Sequence, residues 1–107
     1  METLRELQNW YESQCNDAWE HRYGLVIDTL DNPGWSLRVD LSGTYLEDAG
    51  FNPVSYGVDA KLHPMGHDWI SCQVEERQFR GFGGPQKLEE LISVFLQWAS
   101  RERANAI

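Results

Sequence analysis

Residues 19–35 read WEHRYGLVIDTLDNPGW, and the fold is decided inside this stretch. Tyr23, Leu25 and Ile27 alternate with Arg22, Gly24, Val26 and Asp28, the two-residue period of a strand with one buried side. Asp31-Asn32-Pro33-Gly34 is a turn signal, with Pro presetting φ and Gly expected to take the positive φ of a type II turn. Trp35 then opens the cleanest alternation in the chain: Trp35, Leu37, Val39 and Leu41 point one way, Ser36, Arg38, Asp40 and Ser42 the other. Strands over 21–30 and 35–42 should therefore pair as an antiparallel hairpin with one buried and one wet face. Trp19 is placed as a plug between this hairpin and whatever precedes it.

Upstream, residues 3–16 carry Leu4, Leu7, Tyr11 and Cys15 on one side at helical spacing, with Trp10 at its border and Thr3 and Glu6 spaced as a capping box. Downstream, 43–53 loses all period and reads as a loop. Strands are predicted over 55–63, with Tyr56, Val58, Ala60 and Leu62 inward, and over 68–76, with Ile70, Cys72 and Val74 inward. A short fifth strand is expected around 78–82. Gly83-Gly84-Pro85 should open a last helix, with Pro near its first position. Leu88, Leu91, Ile92, Phe95, Leu96, Trp98 and Ala99 form its broad apolar side, and the tail after Arg101 is expected to fray. The predicted class is α+β: an antiparallel sheet of four to five strands with an N-terminal and a C-terminal helix packed on one face.

A length of 107 residues suits one small domain, 1–107, with a single core. No window is apolar enough for a membrane span, and the acidic, helical N-terminus is unlike a signal peptide, so a cytoplasmic location without membrane partners is expected. Seventeen acidic against nine basic residues give a net charge of −8, which argues against nucleic-acid binding and suits either simple solubility or a basic protein partner. Cys15 and Cys72 stand alone, at positions assigned to the core, without metal-type spacing or an expected disulfide.

Chemistry is sparse. Glu20 and His21 are strand neighbours pointing to opposite faces and cannot share a reacting centre. His63 and His67 flank a Pro-Met-Gly turn beside Asp68, which is not a metal pattern. Gly81-x-Gly83-Gly84 lacks the Lys and Ser/Thr of a phosphate loop, and its glycines more plainly let the last helix approach the sheet. No catalytic residue, metal site or cofactor is expected. The wet sheet face is more informative: Arg38, Asp40, Asp59, Lys61, Trp69, Ser71, Gln73 and Glu75 are predicted to share it, a tryptophan and an arginine among charged and amide groups, as at protein interfaces, and Arg38, Asp40, Asp59, Trp69, Gln73 and Glu75 are the candidate partner contacts.

Leu7-Gln8-Asn9-Trp10-Tyr11, then Trp19-Glu20-His21, Tyr23-Gly24, Leu30-Asp31-Asn32-Pro33-Gly34-Trp35, Asp68-Trp69, Gly83-Gly84-Pro85 and Leu96-Gln97-Trp98-Ala99 follow one another in an order that resembles the immunity protein 53 family. The Trp-Glu and Pro-Gly-Trp pairs are its most specific marks, and the likeness spans nearly the whole chain. Asn16-Asp17-Ala18 departs from it where a glycine is expected before the Trp-Glu pair. The resemblance implies an α+β fold and a bacterial polymorphic-toxin setting, in which the protein neutralises a cognate toxin domain encoded beside it. It supplies no catalytic residues. Charge adds that the toxin could be a basic nuclease. The readings set against it are a small enzyme, such as a hydrolase using His21, His63 or His67, and an acidic adaptor without a toxin partner.

Overall fold

The computed structural model describes residues 2–105. Helix α1 (Glu2–Gln14) leads through a 3₁₀ turn (Trp19–His21) into β1 (Leu25–Leu30) and β2 (Gly34–Asp40). After an irregular segment come β3 (Val54–Tyr56), β4 (Ile70–Glu75), β5 (Gln78–Gly83) and helix α2 (Leu88–Asn105). The strands form one antiparallel sheet in the order β1-β2-β5-β4-β3. This is the expected α+β arrangement, with the fifth strand present and placed at the centre of the sheet.

The alternation in 35–42 is realised as read. Leu37, Val39 and Leu41 are fully buried, and Phe79 from β5 and Ile70 and Cys72 from β4 join them on the same face. Helix α2 lies across that face with Leu91, Ile92, Phe95, Trp98 and Ala99. Gly83 lets the approach to this helix come close: a Cβ there would meet the Lys87 Cβ at 2.8 Å. Helix α1 covers the remaining corner, its Trp10 ring edge-on to Phe95 at 4.9 Å between centroids.

Several expectations are corrected. Pro33-Gly34 does not make a type II turn, because Gly34 has no positive φ and is already the first residue of β2. Glycine is needed there for closeness: a Cβ would sit 2.2 Å from the Gly83 carbonyl oxygen on β5. Thr3 is inside α1 and not a cap; its hydroxyl donates to Glu89 of α2 at 3.1 Å. Leu7 and Trp10 are the buried residues of α1, whereas Leu4 and Tyr11 are exposed, so the helix is rolled toward Trp10 relative to the stripe read from its sequence. Cys15 is only half buried beyond the helix end, while Cys72 is buried as expected.

The strand predicted over 55–63 stops at Tyr56, because Gly57 takes φ +69° and turns the chain into a small loop closed by Val58 pairing with Pro64. Pro85 precedes α2 by three residues and uses its carbonyl to accept the Trp35 indole N–H at 3.0 Å. Beyond Arg101 the helix continues to Asn105, and the expected fraying of 106–107 lies outside the described residues. No helix among them is long and apolar enough to cross a membrane.

Candidate functional site

The strand period places Val26, Asp28, Ser36, Arg38, Asp40, Gln78, Arg80, Phe82, Ser71, Gln73 and Glu75 on the sheet face away from the helices. Cross-strand register orders them in rows. Arg38 stands opposite Arg80, which stands opposite Gln73, and Asp40 opposite Gln78, which stands opposite Glu75. Four of the six candidate contacts are therefore brought together: Arg38, Asp40, Gln73 and Glu75.

The other two are not where the sequence put them. Trp69 has the parity of the open face but is only 4 % exposed, wedged where Cβ atoms on Gly57 and Gly84 would lie 2.9 and 3.4 Å from it. It supports the β4 end from within and offers no exposed anchor. Asp59 has left the sheet with the loop after Gly57. Its carboxylate accepts the N–H groups of Lys61 and His63 at 2.8 and 2.9 Å, and these bonds, His63 first, hold its pKa below the ordinary value.

Sequence reasoning missed the central contributors, Gln78, Arg80 and Phe82. Their signal was present in the alternation of Gln78, Arg80 and Phe82 with Phe79, Gly81 and Gly83, but two glycines in one row obscure a strand.

Most polar groups on the face are already satisfied. Asp40 accepts from the Gly24 N–H at 3.0 Å and from Gln78 Nε2 at 2.8 Å. Gln78 Oε1 accepts from Arg80 Nε and Nη2 at 3.1 and 2.9 Å, and Arg80 also meets Glu76 at 3.2 Å and Glu75 at 3.6 Å. Arg38 differs. It is exposed, and among the described residues it has no hydrogen-bond or ion-pair partner for its side chain. It lies beside a guanidinium whose charge two glutamates already offset, at the wall of a hollow of about 380 Å³ shared with Val26, Ser36, Asp40, Arg80 and Phe82. A carboxylate from another molecule would find a cation there that nothing among the described residues competes for.

The aromatic marks of the opening stretch serve the scaffold. The Trp19 indole donates to the Ser42 carbonyl at 2.8 Å, and the ring packs edge-on against Trp10. The Glu20 carboxylate folds back onto the N–H groups of Asn16 and Asp17, both at 2.9 Å. Its pKa is lowered, chiefly by a bond from its own backbone N–H and then by these two.

A carboxyl with a depressed folded pKa contributes stability above its unfolded value, and that contribution is lost as pH falls through the folded value. Glu20→Gln is therefore expected to lower Tm at pH 7. The gap from wild type should close as pH drops below 4.5, the unperturbed value. A gap that stayed constant in a thermal melt series from pH 7 to pH 3 would contradict this assignment.

None of the histidines converges on a site. The Glu20 carboxylate is held by the Asn16 and Asp17 N–H groups, and His63 sits exposed beside Asp59 at 3.6 Å. No His, Cys, Asp and Glu group among the described residues is arranged to hold a metal.

A model of the family described as immunity protein 53 matches residues 4–100. The chain belongs to the immunity protein 53 family. Neither a search of curated proteins nor one of solved structures returns a match. In this immunity protein 53 member the Trp-Glu and Pro-Gly-Trp pairs are scaffold. Trp19 and Trp35 anchor distant backbone carbonyls, and Gly34 permits β2 to approach β5.

Proposed function

We propose that this protein neutralises a cognate toxin of a bacterial polymorphic-toxin system by binding it one to one in the cytoplasm, with the open sheet face as the docking surface and no chemistry of its own. Family membership across residues 4–100 carries this reading. The face supports it with Arg38 on β2, unengaged among the described residues, apolar Val26 and Phe82 beside it, and Asp28 and Glu75 on the flanking strands. Arg38, Asp40, Gln73 and Glu75 are the contact residues, while Trp69 acts through the fold and Asp59 from a neighbouring loop. The charge of −8 suits a basic toxin, and a nuclease fits because its lysines and arginines must meet phosphates.

Coexpression with the toxin domain encoded beside this chain should give a 1:1 complex on gel filtration that weakens with salt. A toxin that remains active with equimolar protein would exclude the proposal. Arg38→Ala is expected to cost about 2 kcal/mol of binding, roughly a thirtyfold rise in Kd, with an unchanged circular dichroism spectrum. Replacing His21, His63 and His67 together by alanine should leave protection intact, as it would not if the protein were a hydrolase.

A further inference from the structure

The two edges of the sheet are built differently. On one side β3 has only three residues before the chain turns away at Gly57. On the other, β1 is six residues long, and among the described residues no strand lies beyond it. The bond from the Asp40 N–H to the Gly24 carbonyl at 2.9 Å sets the parity of the ladder. Gly24, Val26, Asp28 and Leu30 direct their backbone polar groups to β2, so those of Leu25, Ile27 and Thr29 point outward. The Thr29 N–H is taken by Asp28 Oδ1 at 2.9 Å. Among the described residues the outward N–H groups of Leu25 and Ile27 have no acceptor.

The flanks of this edge are apolar. Between β1 and α1 runs a groove walled by Leu4, Leu7, Tyr11, Leu25 and Ile27. Leu4 is 44 %, Tyr11 39 % and Ile27 36 % exposed. On the opposite side Val26, 43 % exposed, borders the hollow that holds Arg38. Edge strands are ordinarily blunted by lysine, proline or a bulge. LVIDTL contains neither residue, and its register with β2 is continuous.

We infer that the β1 edge receives an extended segment of the toxin as an added strand, whose residues alternate between apolar side chains entering the α1 groove and basic side chains facing Asp28. The inference rests on the toxin-binding reading and adds to it the mode of docking. Backbone bonds to Leu25 and Ile27 hold such a segment, and the flanking groove and hollow select its side chains. Charge selects the occupant. A second copy would bring a net charge of −8 against −8. A twofold β1–β1 pairing centred on Ile27 would also set the two Asp28 side chains diagonally on one face, roughly 7–8 Å apart. A basic segment turns both repulsions into attractions and continues onto the face that carries Arg38.

The test uses the purified protein and the toxin domain encoded beside it. Hydrogen exchange at the Leu25 and Ile27 amides is expected to slow at least tenfold in the complex. Leu4→Lys, a charge placed in the groove, and Ile27→Pro, which removes an outward N–H and no ladder bond, should each raise Kd at least tenfold. If wild type binds and neutralises the toxin while both amides exchange as in the free protein and Leu4→Lys binds normally, the strand-addition mode is wrong and the toxin reading survives. A wild type that neither binds nor neutralises removes both. Free protein that sediments as a dimer with these amides already protected overturns the inference in favour of a second copy. Should Ile27→Pro fail to fold, the exchange rates and Leu4→Lys decide.

Discussion

Gly34→Ala is expected to lower stability by at least about 3 kcal/mol, the upper end of what overpacking costs. The added Cβ would lie 2.2 Å from the Gly83 carbonyl oxygen and 3.3 Å from its carbon. Both atoms are backbone of the neighbouring strand, so no rotamer change relieves the clash, and β2 must move from β5 at the centre of the sheet. Backbone conformation plays no part, since Gly34 has no positive φ. Gly50→Ala is the control, with nothing within 4 Å of the new atom and an expected change within about 0.5 kcal/mol. Urea unfolding followed by tryptophan fluorescence measures both. Equal midpoints for the two variants would show that the strands tolerate separation and that closeness does not explain this glycine.

Trp98→Ala should cost about 3–5 kcal/mol, as is usual for deleting a buried large aromatic. Trp98 is 2 % exposed and touches three other rings, with Phe51 at 5.0 Å, Phe95 at 6.2 Å and Phe79 at 6.4 Å between centroids. Its indole also donates to the Gly50 carbonyl at 2.8 Å, tying the irregular segment after β2 to α2. Trp98→Phe keeps part of the packing and should lose about 1–2 kcal/mol, the hydrogen bond and some volume. If the alanine variant unfolds at nearly the wild-type urea concentration, α2 is not the principal cover of the sheet.

Both sites show what could be read before the structure. Strict alternation announces a strand buried on one side, so β2 and the inward row Ile70, Cys72 and Val74 were legible, as was the apolar side of α2. Where one residue could satisfy two physical demands, the sequence alone did not choose between them. Gly34 fits a positive φ and a close approach equally well, and only the distance to Gly83 separates them. Leu4 and Tyr11 have core spacing, yet a roll of α1 toward Trp10 leaves them exposed. For Trp69 the parity was right, and the burial came from Gly57 and Gly84, residues whose proximity no pattern records. The face of Arg38 is legible in the alternation, but that it has no partner among the described residues, while Arg80 beside it is held by Glu75 and Glu76 across a turn, is not. That turn is itself unexpected, with Glu76 and Arg77 at φ +54° and +60° where glycine or asparagine is usual.

The placement of α2 also orders events during synthesis. Leu37, Val39 and Phe79 share one face across adjacent strands, yet the rings that roof them, Phe95 and Trp98, follow every strand of the sheet in chain order. Until then the nascent sheet carries a sticky face as well as a bare edge, in the same molecule that must later recognise a partner. Closure of the core therefore waits for α2, when every strand it covers has already been made.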